Sequence, residues 1–155
     1  MVRRETDAAI VNALANHPDI LPAFDLSRAG SLDFGPCVAS DDYRILSSGP
    51  SCVGFFEWSA PGVWECHTMF HPDVRGAQAI DAARQMCAWM FAEGASMLWG
   101  QTPTIMRPAR WFNRKVGFKS AGIGFHHVCG EVERFVLRNT DGSAPRSSGR
   151  HLGSR

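Results

Sequence analysis

The sequence predicts a single α/β (α+β) domain: a mixed, mostly antiparallel sheet of six to seven strands with helices on both faces. Three observations predict it. Tyr43–Ser47, Cys52–Trp58 and Val63–Phe70 are runs rich in β-branched and aromatic residues, joined by the turn sequences Ser48-Gly49-Pro50-Ser51 and Ala60-Pro61-Gly62. The third run enters a turn carrying Pro72, Asp73 and Gly76, and from it issues a run of helix formers over residues 77–93, with apolar residues at Ala79, Ile80, Ala83, Cys87, Met90 and Phe91. A further strand, Met97–Gln101, follows that one helix, so it lies parallel to strand 63–70.

The other elements follow in order. Val2 to Arg4 reads as a short first strand, and Thr6 as the cap of a helix containing Ala8, Ala9, Ile10 and Leu14. His17-Pro18 ends that helix, because the residue before proline avoids the α region. A second short helix is expected over Ile20–Ala29, closed by Gly30, while Leu32–Ala39 fits either state. Pro103 and Pro108 bracket a loop, Ala109–Lys115 is a short helix stopped by Gly117, and Ala121–His127 and Val132–Leu137 form a closing strand pair. Residues 1–138 make up the domain. Residues 139–155, made of Gly, Ser, Pro and Arg with almost nothing apolar, read as a disordered tail.

Composition removes several function classes. A chain of 155 residues, 45% of them hydrophobic, can bury one core. The net charge of +1 gives no electrostatic case for nucleic acid. No apolar run reaches the roughly 18 residues of a membrane span. Met1-Val2-Arg3-Arg4-Glu5-Thr6-Asp7 lacks the apolar stretch of a secretory signal. Cys37, Cys52, Cys66, Cys87 and Cys129 are scattered and odd in number, which suits free thiols in the cytoplasm of a bacterium or an infected host cell. Cys66-His67 and His126-His127-Val128-Cys129 could meet across strands, but they lack the close ligand pairs of zinc sites such as Cys-x2-Cys, so no metal is assigned.

The turn at residues 71–76 carries the chemistry. A strand that passes through a glycine into a helix leaves backbone N–H groups unpaired, and the helix dipole adds partial positive charge there. Arg75 brings a full charge to the same place. The segment Phe70-His71-Pro72-Asp73-Val74-Arg75-Gly76-Ala77-Gln78-Ala79 resembles the acyl-CoA pyrophosphate loop of the GNAT superfamily of N-acetyltransferases. The usual pattern there is Gln/Arg-x-x-Gly-x-Gly/Ala. On this chain its first position falls on Asp73, its central glycine on Gly76 and its last small residue on Gln78, so two signature positions depart. His71-Pro72 and Arg75-Gly76 match the common His-Pro-x-x-Arg-Gly form. A second segment, Ala109-Arg110-Trp111-Phe112-Asn113-Arg114-Lys115-Val116-Gly117-Phe118, resembles the family's Ala-x-x-Phe-Tyr-x-Lys-x-Gly-Phe element, in the expected order and at the expected separation. The likeness spans residues 1–138 and centres on 63–118. The chain is also similar to small phage-type GNAT-like proteins.

The resemblance implies a GNAT fold with a centrally splayed sheet, and a CoA-dependent N-acyltransferase that moves an acetyl group from acetyl-CoA, or another acyl from its acyl-CoA, directly to an amine acceptor. The backbone of Arg75, Gly76, Ala77, Gln78 and Ala79 would hold the pyrophosphate, Arg110 a CoA phosphate, and Thr68 and Phe70 the pantetheine arm. Residues two apart on a strand share a face, which puts Glu65 and His67 together as candidate general bases. Where the family often has a tyrosine to protonate the leaving thiolate, this chain has Asn113, an amide able to hydrogen-bond but not to act as an acid; its only tyrosine is Tyr43. The rival to the enzyme is a catalytically inactive GNAT-like phage structural or host-interaction protein, and a third alternative is a regulatory module that binds CoA or a nucleotide. A homodimer contact and a virion or host-protein contact both stay open.

Overall fold

The computed structural model describes residues 1–23 and 30–141. One seven-stranded sheet runs through it in the order β1-β2-β3-β4-β5-β7-β6. The strands are β1 (Arg3–Arg4), β2 (Tyr43–Ser47), β3 (Cys52–Ala60), β4 (Val63–Phe70), β5 (Met97–Pro103), β6 (Lys119–His126) and β7 (Gly130–Arg138). Every pairing is antiparallel except β4 with β5. That exception follows from the chain path: one helix, residues 76–92, carries the chain from the end of β4 back to the start of β5, whereas β2–β3, β3–β4 and β6–β7 are joined by turns and β1–β2 and β5–β7 by longer returns.

Helices α3 (Gly76–Ala92) and α4 (Arg107–Val116) cover one face, and α1 (Ala9–Ala15) and α2 (Gly35–Ala39) cover part of the other. Small residues on α3, Ala79, Ala82 and Ala83, let it approach the sheet, where Met86 and Met90 are buried with Leu46, Phe56, Trp64, Leu98 and Phe135. Gly54 completes the fit: a Cβ there would stand 2.8 Å from the Met86 sulfur. Truncating Met86 or Met90 to alanine would cost about 2–5 kcal/mol, the usual range for a fully buried large side chain. On the opposite face Val11, Leu14 and Ala15 of α1 pack on Ile45, Val53, Phe55 and Met69. Asn16 donates to the Leu32 carbonyl and accepts from its N–H, and Asn12 accepts from the Phe34 N–H, which ties α1 to the segment before α2.

Three expectations change. Asp7, not Thr6, serves the first helix, its carboxylate accepting the Ala9 N–H at 2.8 Å. Pro108 lies inside the first turn of α4 rather than in the preceding loop, where its missing N–H costs nothing. The segment from Ile20 shows a 3-10 turn at Leu21–Ala23, and the rest of the helix expected there, residues 24–29, lies outside the described residues. A 3-10 turn at Asn139–Asp141 follows β7, and the tail from residue 142 lies outside the described residues too. Among the described residues no helix is long and apolar enough to cross a membrane.

Candidate active site

The sheet opens between its two parallel strands. β4 and β5 pair at Val63–Met97, Trp64–Leu98 and Glu65–Trp99, and there their ladder ends, although β4 continues to Phe70 and β5 to Pro103. β4 stays paired with β3 along its whole length and β5 with β7, so the backbone groups freed by the split lie along the inner edges of the gap. A cavity of about 270 Å³ occupies the opening beneath α3 and α4, bordered by Cys66, Thr68, Gly100, Thr102, Phe112 and Asn113.

β4 leads from that cavity directly into the loop before α3. The loop closes on itself through the Val74 N–H, which donates to the His71 carbonyl, and Val74 is buried as its anchor. Arg75, Gly76, Ala77 and Gln78 are all exposed. Gly76 has φ +57°, a conformation that costs an L-residue roughly 1–2 kcal/mol. It lets the chain swing from the extended Arg75 into the helix, whose first N–H groups then face outward without intrahelical partners. Ala79 differs from its neighbours: its side chain is buried in the core under α3. Gln78 points to solvent. Among the described residues Arg75 makes no ion pair.

Glu65 and His67 share the face of β4 turned away from α3. His67 Nε2 stands 3.8 Å from Glu65 Oε1, with Glu65 side chain 17% exposed and His67 53%. Gln101 of β5 donates to the same Glu65 oxygen at 3.3 Å, across the strands just past their last pair. Glu57 lies opposite Glu65 on β3 and accepts from the Tyr43 hydroxyl at 3.2 Å. Burial, and then the Glu57 charge, push the Tyr43 phenol above its ordinary range. Tyr43 is therefore near the candidate bases in space, but it stands two strands from the gap, roughly 10 Å at the usual strand spacing. A second, more open basin of about 620 Å³ lies beside this group, bordered by Trp99, Phe125, His126, His127 and Arg134. Gln101 borders both cavities.

At the other wall, Asn113 of α4 donates its amide to the Thr102 hydroxyl at 2.9 Å, and both residues border the first cavity. Phe112 meets Phe70 edge to face at 6.1 Å, so the end of β4 packs on α4. Arg110 is engaged within the fold: its Nε donates to the Glu133 carboxylate and its Nη1 to the Thr104 carbonyl at 3.0 Å. Arg114 bonds the other Glu133 oxygen. Burial pushes the Glu133 carboxyl up, but hydrogen bonds from Arg110 and Ser120 and the two arginine charges outweigh it and hold Glu133 below the usual carboxylate range.

The structure thus sets His67, Thr68 and Asn113 on the border of the first cavity, ties Glu65 to it through Gln101, and leaves Arg75 to Gln78 exposed in the turn that follows β4. Sequence reading missed Gln101, Thr102 and Glu57. Gln101 and Glu57 carried a signal, since each follows from pairing the strands and asking which polar residues face Glu65. The two segments weighed for a metal, Cys66-His67 and His126-His127-Cys129, do not meet, because β5 and β7 lie between β4 and β6.

No family model matches the sequence, and no curated protein matches it. Solved structures do match the fold. The aminoglycoside acetyltransferase AAC(6')-Ib in complex with coenzyme A superposes with a TM-score of 0.70 at 15% identity, over 91% of this chain and 95% of that one. An IAA acetyltransferase from Bacillus cereus superposes with a TM-score of 0.66 at 16% identity, over 89% and 98%. A mutant of the spermidine N-acetyltransferase SpeG from Vibrio cholerae gives 0.64 at 11%, over 89% and 94%. With a splayed parallel pair between two antiparallel halves, and these structures as its likenesses, the chain has the fold of the GNAT acetyltransferases.

Proposed function

We propose that the protein is an N-acyltransferase that uses acetyl-CoA as donor and a cationic amine as acceptor, with direct transfer between them. The observation that carries this is the parting of β4 from β5 after Glu65 and Trp99, with a cavity on the α3 side, an open basin on the other, and Gln101 on the border of both. The exposed amides at Gly76, Ala77 and Gln78, beside Arg75, suit a diphosphate at the mouth. The unpaired edge of β4 near Thr68 suits the amide-bearing arm that follows.

In this scheme the acceptor enters from the basin and passes Gln101 on its border to reach Glu65, whose charge, with that of Glu57 opposite it on β3, favours a positively charged amine. Glu65 or His67 takes a proton from the ammonium, directly or through water. The freed nitrogen lone pair attacks the thioester carbonyl, the C–S bond breaks, sulfur leaves with the electron pair, and the second proton that the nitrogen sheds in becoming an amide neutralises the thiolate. Thr102, its oxygen already accepting from Asn113, keeps its own O–H to offer to the developing thiolate. Cys66 and Cys87 also lie beside the cavity, but burial pushes the Cys66 thiol well above its ordinary range and the Cys87 thiol up to about 12. Thiols shifted in that direction hold their protons near neutrality, which favours direct transfer over a covalent intermediate.

A second reading, a fold that has lost the reaction and acts as a virion or host-interaction protein, is favoured by one observation: the α4 position facing the cavity holds the amide of Asn113. Two measurements separate them. Acetyl-CoA raises the melting temperature if the mouth binds the donor, and no shift removes both the enzyme and the CoA-binding module. Thiol release from acetyl-CoA with a panel that includes spermidine and an aminoglycoside then distinguishes transfer from binding alone. Those acceptors are chosen because structural neighbours act on them.

A further inference from the structure

We propose that His17, Asp19 and His71 form a binding site for a divalent transition-metal ion of the zinc class, pinning the end of α1 to the loop that precedes α3. The sequence contains one tripeptide twice, His17-Pro18-Asp19 and His71-Pro72-Asp73, each followed by a β-branched residue, Ile20 or Val74. The fold sets the two copies against each other. Each makes the same local turn, with the aspartate N–H donating to its own histidine Nδ1 at 3.2 Å. The two imidazoles meet edge to face at 4.6 Å.

Asp19 stands between the rings. Its Oδ2 lies 3.6 Å from His71 Nε2 and 3.8 Å from His17 Nδ1. Both separations are longer than a hydrogen bond. They are close to the roughly 3.4 Å that separates two ligands sharing one tetrahedral ion at about 2.0–2.1 Å from each, and ligation through His17 Nδ1 requires that nitrogen to exchange its bond from the Asp19 N–H for the metal. One ligand atom from each of the three residues lies within 4.8 Å of the others.

The donor set points to the metal class. Two imidazoles and one carboxylate suit zinc, cobalt or nickel better than magnesium or calcium, which prefer oxygen alone. Asp19 is largely exposed while His71 is mostly buried, so an ion can enter from solvent and still be held from inside. His71 Nδ1 accepts the Asp73 N–H in the metal-free chain, so ligation through Nε2 requires the proton to move to Nδ1, where the Asp73 carboxylate, with Oδ2 at 3.4 Å, would accept it in place of that backbone bond. The proline in each copy restricts the backbone between ligand histidine and aspartate, which lowers the ordering required on binding.

The site stands apart from the candidate active site in its ligands but joins it through the chain, because His71 begins the turn that reaches Arg75 and Gly76. Calorimetry on the full chain, stripped of metal by a chelator and titrated with zinc alone, is the direct test. One equivalent should bind, and saturating zinc should raise the melting temperature by roughly 5 °C or more at a hundredfold excess over the dissociation constant. Cobalt should bind in its place and give the visible absorption of a protein-bound ion. His17→Ala and Asp19→Asn, at a half-exposed and an exposed position, should weaken zinc binding at least tenfold while melting like the wild type in chelator. Cys129→Ser and His126→Ala should leave binding intact. No saturable binding, unchanged affinity in His17→Ala and Asp19→Asn, or loss of binding in Cys129→Ser would overturn the site.

Discussion

Asn113 and Thr102 join α4 to β5 at the head of the cavity, the amide donating to the hydroxyl at 2.9 Å. Thr102 is buried, so an unpaired polar group there would be costly. Thr102→Val keeps the shape, removes the hydroxyl proton that can face sulfur, and leaves the Asn113 amide without its acceptor. Turnover should fall by about 10-fold to 100-fold, at the low end of losing one transition-state donor. The acetyl-CoA melting shift should stay near that of the wild type. Steady-state kinetics beside thermal shift checks it; equal losses in both would make Thr102 a binding or folding residue.

Glu65 and His67 can be told apart, because Gln101 holds only Glu65. If Glu65 takes the proton, Glu65→Gln should lower kcat by about 10²-fold to 10⁴-fold, the usual contribution of a general base, while the shift with acetyl-CoA persists. His67→Ala should then cost little. The reverse order would assign the base to His67, and activity in both variants would point to the amine arriving already deprotonated.

Much of this site was legible before any coordinates. Alternation along Val63–Phe70 put Glu65 and His67 on one face, and the glycine between strand and helix located the exposed amides. What sequence could not give was the partner of each charge. Arg110 reads as a free helix cation until β7 brings Glu133 beneath it, some twenty residues later in the chain. The end of the β4–β5 ladder is likewise a property of pairing, invisible in either strand alone. The twin His-Pro-Asp was present in the sequence throughout, yet it acquired meaning only when α1 and the loop were seen to touch.

Gly76 offers a test of backbone against side chain. No atom lies within 4 Å of where its Cβ would be, so a methyl group meets open space. The penalty of Gly76→Ala is therefore the positive φ alone, about 1–2 kcal/mol. Thermal melts should show a drop of roughly 2–8 °C. Gly76→Glu adds a negative charge at the helix N-terminus, where acetyl-CoA stabilisation should disappear while the strain penalty stays similar. Unchanged stabilisation in Gly76→Glu would move the diphosphate elsewhere.

Glu133 should set an acid limit. Its folded carboxyl is held below the usual range, so its contribution is fully present above the unfolded glutamate range, near pH 4.3, and is lost as pH falls through the lower folded value. Glu133→Gln should remove roughly 2 kcal/mol at neutral pH, a value discounted because Arg114 is about half exposed. Urea melts from pH 7 down to pH 3 should show the wild type losing its advantage over the variant in the acid part of that range. A constant gap across pH would place the loss in packing and not in the ion pairs.

The cysteines give a final check on direct transfer. Cys129 is exposed, Cys52 and Cys87 are buried, and the thiol of Cys66 faces the cavity with its proton strongly held. Alkylation of the native protein should therefore modify Cys129 first and Cys66 slowly, with Cys87 reacting only on unfolding, since it is the thiolate that reacts. Incubation with acetyl-CoA in the absence of amine should leave the intact mass unchanged. Cys66→Ser should retain turnover within a few-fold. A stable mass gain of one acetyl group on Cys66, lost in Cys66→Ser together with activity, would replace direct transfer with an acyl-enzyme and make the buried thiol the centre of the reaction.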